Sequence, residues 1–324
     1  MIITRTPYRV SLFGGGTDHP SWYKTNGGAV VSFAIDKFSY INVRELPPFF
    51  EHAYRIAYSK VETGQNISEI KHPAVREGFR KFASKLNLEL HHHGDLPARS
   101  GVGSSSAFAV GLIQALLALD DKMVTSENLA QMAIDFEQIT LKETVGSQDQ
   151  IACAMGGINY IEFGPGENWH AYKLNLSESY LKQIEDRVVL LYSGIDRLSS
   201  DISKTLLENL DLKSNLMNRT QNLALECRNL LTREGDLSLI GPMLNESWEL
   251  KKAMNPAAVT PLLEDFFSRA KIAGAQGGKI LGAGGGGFCL FWMEPSIKDA
   301  FIELMAPAVS VPIRISQEGA TRIL

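Results

Sequence analysis

The chain has 324 residues, 44% hydrophobic and 21% charged, which suffices for a full core and, at about 100–200 residues per domain, for two domains. A formal net charge of -4 lacks the basic bias of proteins that bind nucleic acid or anionic membranes, so an anionic ligand would be held by local cations and a metal. Cys153, Cys227 and Cys289 lie too far apart for a disulfide framework or a paired metal site. No charged-then-apolar leader precedes Ile2-Ile3-Thr4 and the apolar run Phe108 to Leu119 is too short to cross a bilayer, so a reducing, cytoplasmic setting is expected.

In chain order, residues 2–44 read as strand, broken by Gly14-Gly15-Gly16 and by Gly27-Gly28, the second break opening a buried strand from Ala29 to Ile35. Residues 72–87 predict a helix and Leu88 to His93 a strand. A turn from Leu96 to Ala107 then feeds an apolar segment of helical length. Thr125 or Ser126 caps a helix running to about Lys142, and a shorter helix follows Ser147. After the polar stretch Ser177 to Asp186, a new apolar strand from Arg187 to Tyr192 sets a domain boundary, giving units 1–186 and 187–324. The second unit reads as mostly helical to about Ala275, with the glycine-rich stretch Lys279 to Gly287 between a helix and the strand Phe288 to Trp292. Strands and helices mix without strict alternation, which predicts an α+β fold rather than a doubly wound sheet.

The turn Pro97-Ala-Arg-Ser-Gly101-Val-Gly103-Ser104-Ser105-Ser106 carries the most chemistry. A flexible glycine turn opening a helix converges backbone N–H groups and the helix dipole on an anion, and three hydroxyls there can bond phosphate or a metal. A serine-capped tight loop is the plain alternative. Two further glycine segments, Gly14 to Asp18 and Gly282 to Gly287, suggest close backbone approach to a ligand, since glycine costs about 0.5–1 kcal/mol relative to alanine in regular structure. Gly282 to Gly287 satisfies G-x-G-x-x-G, but a dinucleotide site needs a strand before it and a helix after it. No Walker A sequence is present. His91-His92-His93 cannot converge on one ion from a strand, whose side chains alternate faces.

Three segments, Pro7-Tyr-Arg9-Val-Ser-Leu-Phe-Gly14-Gly-Gly-Thr17-Asp18, then Pro97 to Ser106, then Lys279-x-x-Gly282-Ala-Gly-Gly-Gly-Gly287, resemble in order and separation the motifs of the GHMP kinase family. Within it, Gly14 to Asp18, Gly146-Ser-Gln148-Asp149-Gln150 and Tyr192-Ser-Gly-Ile-Asp-Arg197-Leu-Ser are most similar to the kinases of D-glycero-D-manno-heptose 7-phosphate; Ser193, where threonine is expected, is a mild departure. The resemblance implies a ribosomal-S5-like N-terminal domain, a ferredoxin-like C-terminal domain, and ATP- and Mg2+-dependent phosphorylation of a sugar phosphate at its anomeric hydroxyl. Nucleic acid and membrane are not expected partners, and association into a homo-oligomer is left open. Fucose- or galactose-type kinases, or a binding-only sensor, are the alternatives.

Carried onto this sequence, the resemblance makes Pro97, Gly101, Val102, Gly103, Ser104, Ser105 and Ser106 the nucleotide cradle, with Ser104 or Ser105 and Glu137 toward Mg2+. Asp149 is the candidate base, with Arg9 keeping it ionised. Asp18, with Gly15, Gly16, Thr17, Gly284 and Gly285, would meet the sugar, and Arg197 its distal phosphate, with Lys24 and His19 proposed on sequence proximity. Read without the resemblance, Glu137 is a solvated helix-face carboxylate, Asp149 a helix N-cap, Asp18 a turn residue and Lys279 equally a surface lysine.

Overall fold

The computed structural model describes residues 1–166, 168–195 and 213–324; Arg197 lies outside them. The first half lays down β1 (Ile2–Phe13), α1 (Pro20–Asn26), β2 (Gly28–Glu45), β3 (Tyr54–Ala57), β4 (Val61–Gly64), α2 (Pro73–Phe82), β5 (Leu88–Gly94), α3 (Ser104–Ala118), α4 (Ser126–Asp135), α5 (Gln148–Met155), β6 (Ile158–Phe163) and β7 (Trp169–Lys173). Then come α6 (Glu178–Arg187), β8 (Val188–Tyr192), α7 (Ser214–Thr232), α8 (Ile240–Met254), α9 (Pro261–Ile272), β9 (Gly277–Ile280), β10 (Phe288–Trp292), α10 (Lys298–Leu304), β11 (Val309–Val311) and β12 (Thr321–Arg322). This is the α+β mixture that the sequence predicts.

One sheet runs in the order β12-β1-β2-β5-β3-β4, with β6 and β7 continuing from β2; the other is β11-β8-β10-β9. Long, twisted β2 makes this possible: Gly28 to Phe33 pairs with β6 and Ser39 to Glu45 with β5. The strands of the second sheet come from residues 188–311, but the chain's end returns to the first: Ile315 bridges Ile35 and β12 pairs with β1. One apolar core, including Val10 and Phe33, Ile113, Leu190, Leu223 and Phe288, spans both sheets. α3 lies between it and a second cluster that holds Phe108, Leu112 and Leu116, buried at every position from Ser106 to Ala118 except Gln114, so it is apolar on nearly every face rather than amphipathic.

Several local expectations are corrected. The break at Gly14 to Gly28 contains α1, which starts on Pro20 with its φ preset for a first helical turn and ends at Gly27, φ 74°. The helix predicted over 72–87 stops at Phe82. Thr125 does cap α4, accepting from the Asn128 N–H, but the α-helix ends at Asp135 and a π-helical turn, Phe136–Thr140, follows. The polar stretch before β8 is itself the helix α6. A strand, β9, directly precedes Gly282 to Gly287 instead of a helix; that segment is a strand-to-strand turn, so the helix that a dinucleotide site requires is still missing. Among the described residues no helix is long and apolar enough to cross a membrane.

Candidate active site

A cleft of about 250 Å³ opens between β1, the N-terminal ends of α3 and α5, α8 and the glycine turn after β9, with Arg9, Asp18, Ser104, Asp149, Lys251 and Lys279 among its walls. Its rim at α3 is shaped by backbone conformation. Gly103 occupies the helix N-cap in the left-handed region, φ 73°, with no side-chain cap, and the first intrahelical bond is Ala107 N–H to the Gly103 carbonyl. The N–H groups of Ser104, Ser105 and Ser106 therefore precede the helical ladder, at the positive end of the dipole, where anions are favoured. Ser100 Oγ bonds the Pro97 carbonyl at 2.6 Å and Ser104 Oγ accepts from the Arg99 N–H at 3.0 Å, which close the turn.

The glycines of this turn and of the turn after β9 approach each other rather than a ligand. A Cβ on Gly101 would sit 2.7 Å from the Leu281 carbonyl oxygen, one on Gly282 2.7 Å from Gly101 Cα, and one on Gly287 2.5 Å from the Ser100 carbonyl oxygen. Two loops from different halves of the chain interlock backbone to backbone, and only glycine permits it. Ser193, the departure from the expected threonine, keeps the hydroxyl that matters: its Oγ donates to the Gly287 carbonyl at 2.8 Å.

Against this turn Arg9, 4% exposed, forms a two-pronged pair with Asp149: Nε donates to Oδ1 at 2.6 Å and Nη2 to Oδ2, while Nη1 bonds the Gly101 carbonyl at 2.6 Å. Burial works against the Arg9 charge, but Asp149 more than offsets it and holds the guanidinium pKa above its ordinary value. Such planar, charge-assisted geometry fixes both partners. Ser147 is the N-cap of α5, so Asp149 stands in the first turn, not at the cap. Asp18 is 2% exposed and accepts from the N–H groups of Gly16 (2.8 Å) and Gln148 (3.3 Å), tying the first glycine turn to the start of α5. Ser11 Oγ and Gln148 Oε1 are buried in this wall with no protein partner, which is costly unless a ligand supplies one.

Glu137 is fully buried in the π-turn and accepts from Ser105 Oγ (2.9 Å), Ser106 Oγ (2.7 Å) and Gln150 Nε2 (2.5 Å). It is not a solvated helix-face residue. It has no cationic partner among the described residues, and burial lifts its pKa to about 7 against the pull of Ser106, Ser105 and Gln150. A carboxylate held only by neutral donors beside an exposed serine suits a divalent cation.

The structure thus brings Arg9, Asp149, Gly15, Gly16, Asp18, Gly101, Gly103 and Ser104 to Ser106 to one cleft. Pro97, Val102, Thr17, Gly284 and Gly285 are not on its walls: Val102 and Thr17 are fully buried, Thr17 bonding Gly14 and Ala29, while Gly284 and Gly285 pack against Ala258. His19 lines the cleft and Lys24 does not. Ser105 and Ser106, not Ser104, bond Glu137. Lys279, equally a surface lysine from sequence, is 6% exposed inside the site, where Gln148 of the quoted motif is joined by Lys251 and Ser11, to which the sequence assigns no role. Only the alternation of β1, which puts Ser11 on the Arg9 face, could have flagged Ser11.

The sequence matches the GHMP kinases N terminal domain over residues 70–157 and the GHMP kinases C terminal domain over 227–306. It is 28% identical to a D-glycero-alpha-D-manno-heptose 7-phosphate kinase of Campylobacter jejuni, covering 94% of this chain and 93% of that one. A mevalonate kinase of Thermococcus sibiricus is 27% identical over 98% of this chain and 97% of its own. The solved structure of a D-glycero-D-manno-heptose 1-phosphate kinase from Bacteroides thetaiotaomicron shares the fold with a TM-score of 0.83, at 22% identity over 100% of this chain and 99% of the other.

Proposed function

The chain belongs to the GHMP kinases and is a phosphotransferase, and we propose that it uses ATP to phosphorylate the anomeric hydroxyl of a heptose 7-phosphate, giving the 1,7-bisphosphate, in the cytoplasm. The observation that carries this reading is the Arg9–Asp149 pair and the open N-terminus of α3 in the walls of one cleft, joined by the bond from Arg9 to the Gly101 carbonyl. The N–H groups of Ser104, Ser105 and Ser106 would receive the nucleotide phosphates. Asp149, held in orientation by Arg9 and 23% exposed toward the cleft, retains lone pairs to accept the proton of the attacking hydroxyl. Asp18, Ser11 and Gln148 offer acceptors and a hydroxyl suited to sugar hydroxyls. Phosphoryl transfer is mostly positioning and charge neutralisation, and this cleft is built for both.

Mg2+, when bound, would neutralise phosphate charge; Ser105, backed by Glu137, is the side chain we assign to it, with Ser104 closing the turn. Arg197 is our candidate for the distal phosphate. The heptose assignment draws on the Campylobacter relative and on Gly14 to Asp18 and Gln148 to Gln150. Mevalonate is the competing acceptor, given the Thermococcus relative at nearly equal identity. A panel of heptose 7-phosphate, mevalonate, fucose and galactose, read by ADP release and product NMR, tests the choice: turnover of the first alone supports it. Turnover of mevalonate or a free sugar but not of the heptose phosphate overturns it.

A further inference from the structure

Lys279 sits on β9 in the second half of the chain, yet its side chain crosses to the first sheet, where Nζ donates to the Leu12 carbonyl of β1 at 3.1 Å. It is 6% exposed, lines the cleft, and has no carboxylate partner among the described residues. An ammonium carries three donors, and here the protein supplies one acceptor. The carboxylate that shares this wall, Asp149, is committed to Arg9 through both oxygens. A buried cation left with one neutral partner is costly, and the site is electrostatically incomplete until an anion enters.

We propose that Lys279 is a catalytic residue of the phosphotransfer, contacting the equatorial oxygens of the transferring phosphoryl group. The proposal rests on the kinase reading of this cleft but not on which acceptor is used. In the step, the bond between the γ-phosphorus and the ADP bridging oxygen breaks with its electron pair going to ADP. A bond forms from the acceptor oxygen to phosphorus, and the acceptor's proton passes to Asp149. The negative charge on the three equatorial oxygens meets the Lys279 ammonium at a position where no reorganisation is needed. The titratable groups that share the cleft with Lys279 are Arg9 on β1, Asp18 and His19 in the turn after β1, Arg99 before α3, Asp149 on α5 and Lys251 on α8. Burial and then Arg9 lower the lysine pKa to about 8, so an arriving γ-phosphate would raise it again and draw in a proton.

Calorimetric titration at pH 8, in EDTA and in two buffers of different ionisation enthalpy, compares the non-hydrolysable ATP analogue adenylyl imidodiphosphate with ADP. Proton uptake with the analogue, its absence with ADP and its loss in Lys279→Met are the expected results. For whichever acceptor is turned over, Lys279→Met should lower kcat by about 100-fold or more, with KM for ATP changing less than about threefold and Lys279→Arg recovering part of the loss. Removing an unpaired buried charge should leave thermal stability unchanged or higher, whereas a purely structural clasp would lose stability and keep kcat. Equal proton uptake in wild type and Lys279→Met, or a kcat that survives the substitution, overturns the proposal alone. Failure of both nucleotides to bind, in EDTA and with added Mg2+ alike, overturns the kinase reading and the proposal with it.

Discussion

Asp149 and Arg9 are readable as sequence positions, but their pairing is what gives them meaning. Arg9 reaches the Gly101 carbonyl with its third nitrogen, so one side chain fixes both the candidate base and the candidate phosphate turn. Asp149→Asn should cut kcat by 10²-fold or more while leaving ATP affinity within a few-fold; near-normal turnover would remove the base role. It should also destabilise, because Arg9 at 4% exposure would lose its counter-charge. Glu137 makes a separate, signed prediction. Its folded pKa, about 7, lies above its ordinary 4.5, so between those values the folded state binds more protons than the unfolded one and stability falls as pH rises. The cost above pH 7 approaches about 3 kcal/mol by the shift alone. Urea unfolding in EDTA at pH 5 and pH 8 should show that loss in the wild type and not in Glu137→Gln. Added Mg2+ should restore stability at pH 8 only when Glu137 is present.

Among elements, the glycine turns show how far pattern reading reaches. Their presence signals close approach, and the sequence suggests a ligand as the approaching partner. The structure gives each turn a backbone partner instead: Gly14 against Ala29, Gly28 against Thr17, Gly101 against Leu281 and Gly282. Those partners lie as far as 181 positions apart, and no local pattern encodes them. Gly282→Ala would place a Cβ 2.7 Å from Gly101 Cα at φ 65°, so it should cost about 2 kcal/mol or more. Because the displaced partner is the turn proposed to hold phosphate, weakened ATP binding should accompany the lower melting temperature in the same variant. The short helix α1 escaped notice for a different reason: seven residues between glycine breaks give too little periodicity to reveal a helix.

At the scale of the whole molecule, the expected boundary near residue 187 falls within a continuous core. Leu190, Leu223 and Phe288 pack in the same cluster as Val10 and Phe33, and the chain's last residues return to the first sheet. The Ile3 N–H donates to the Leu324 carbonyl and the Ile323 N–H to the Ile3 carbonyl, and Gln114 of α3 donates to the Ala320 carbonyl. Deleting residues 313–324 should therefore lower the melting temperature of the whole chain in one cooperative transition. A variant that melts in two steps, the first unchanged, would argue for independent halves.

The sequence by itself determined the α+β class, the helix opened by the serine turn and the cleft residues Arg9, Asp18, Asp149 and Ser104 to Ser106. The helix is announced by local chemistry, a glycine pair and three serines before an apolar run, whereas Arg9, Asp18 and Asp149 are named by the family resemblance. Tertiary structure alone decided that Glu137 is buried beneath Ser105 and Ser106, that Lys279 points into the site instead of into water, and that the glycine turns grip each other. The reason is physical: burial and pairing belong to residues that the fold brings together across 31 to 267 positions of chain, and a side chain's charge state follows from those neighbours rather than from its own identity.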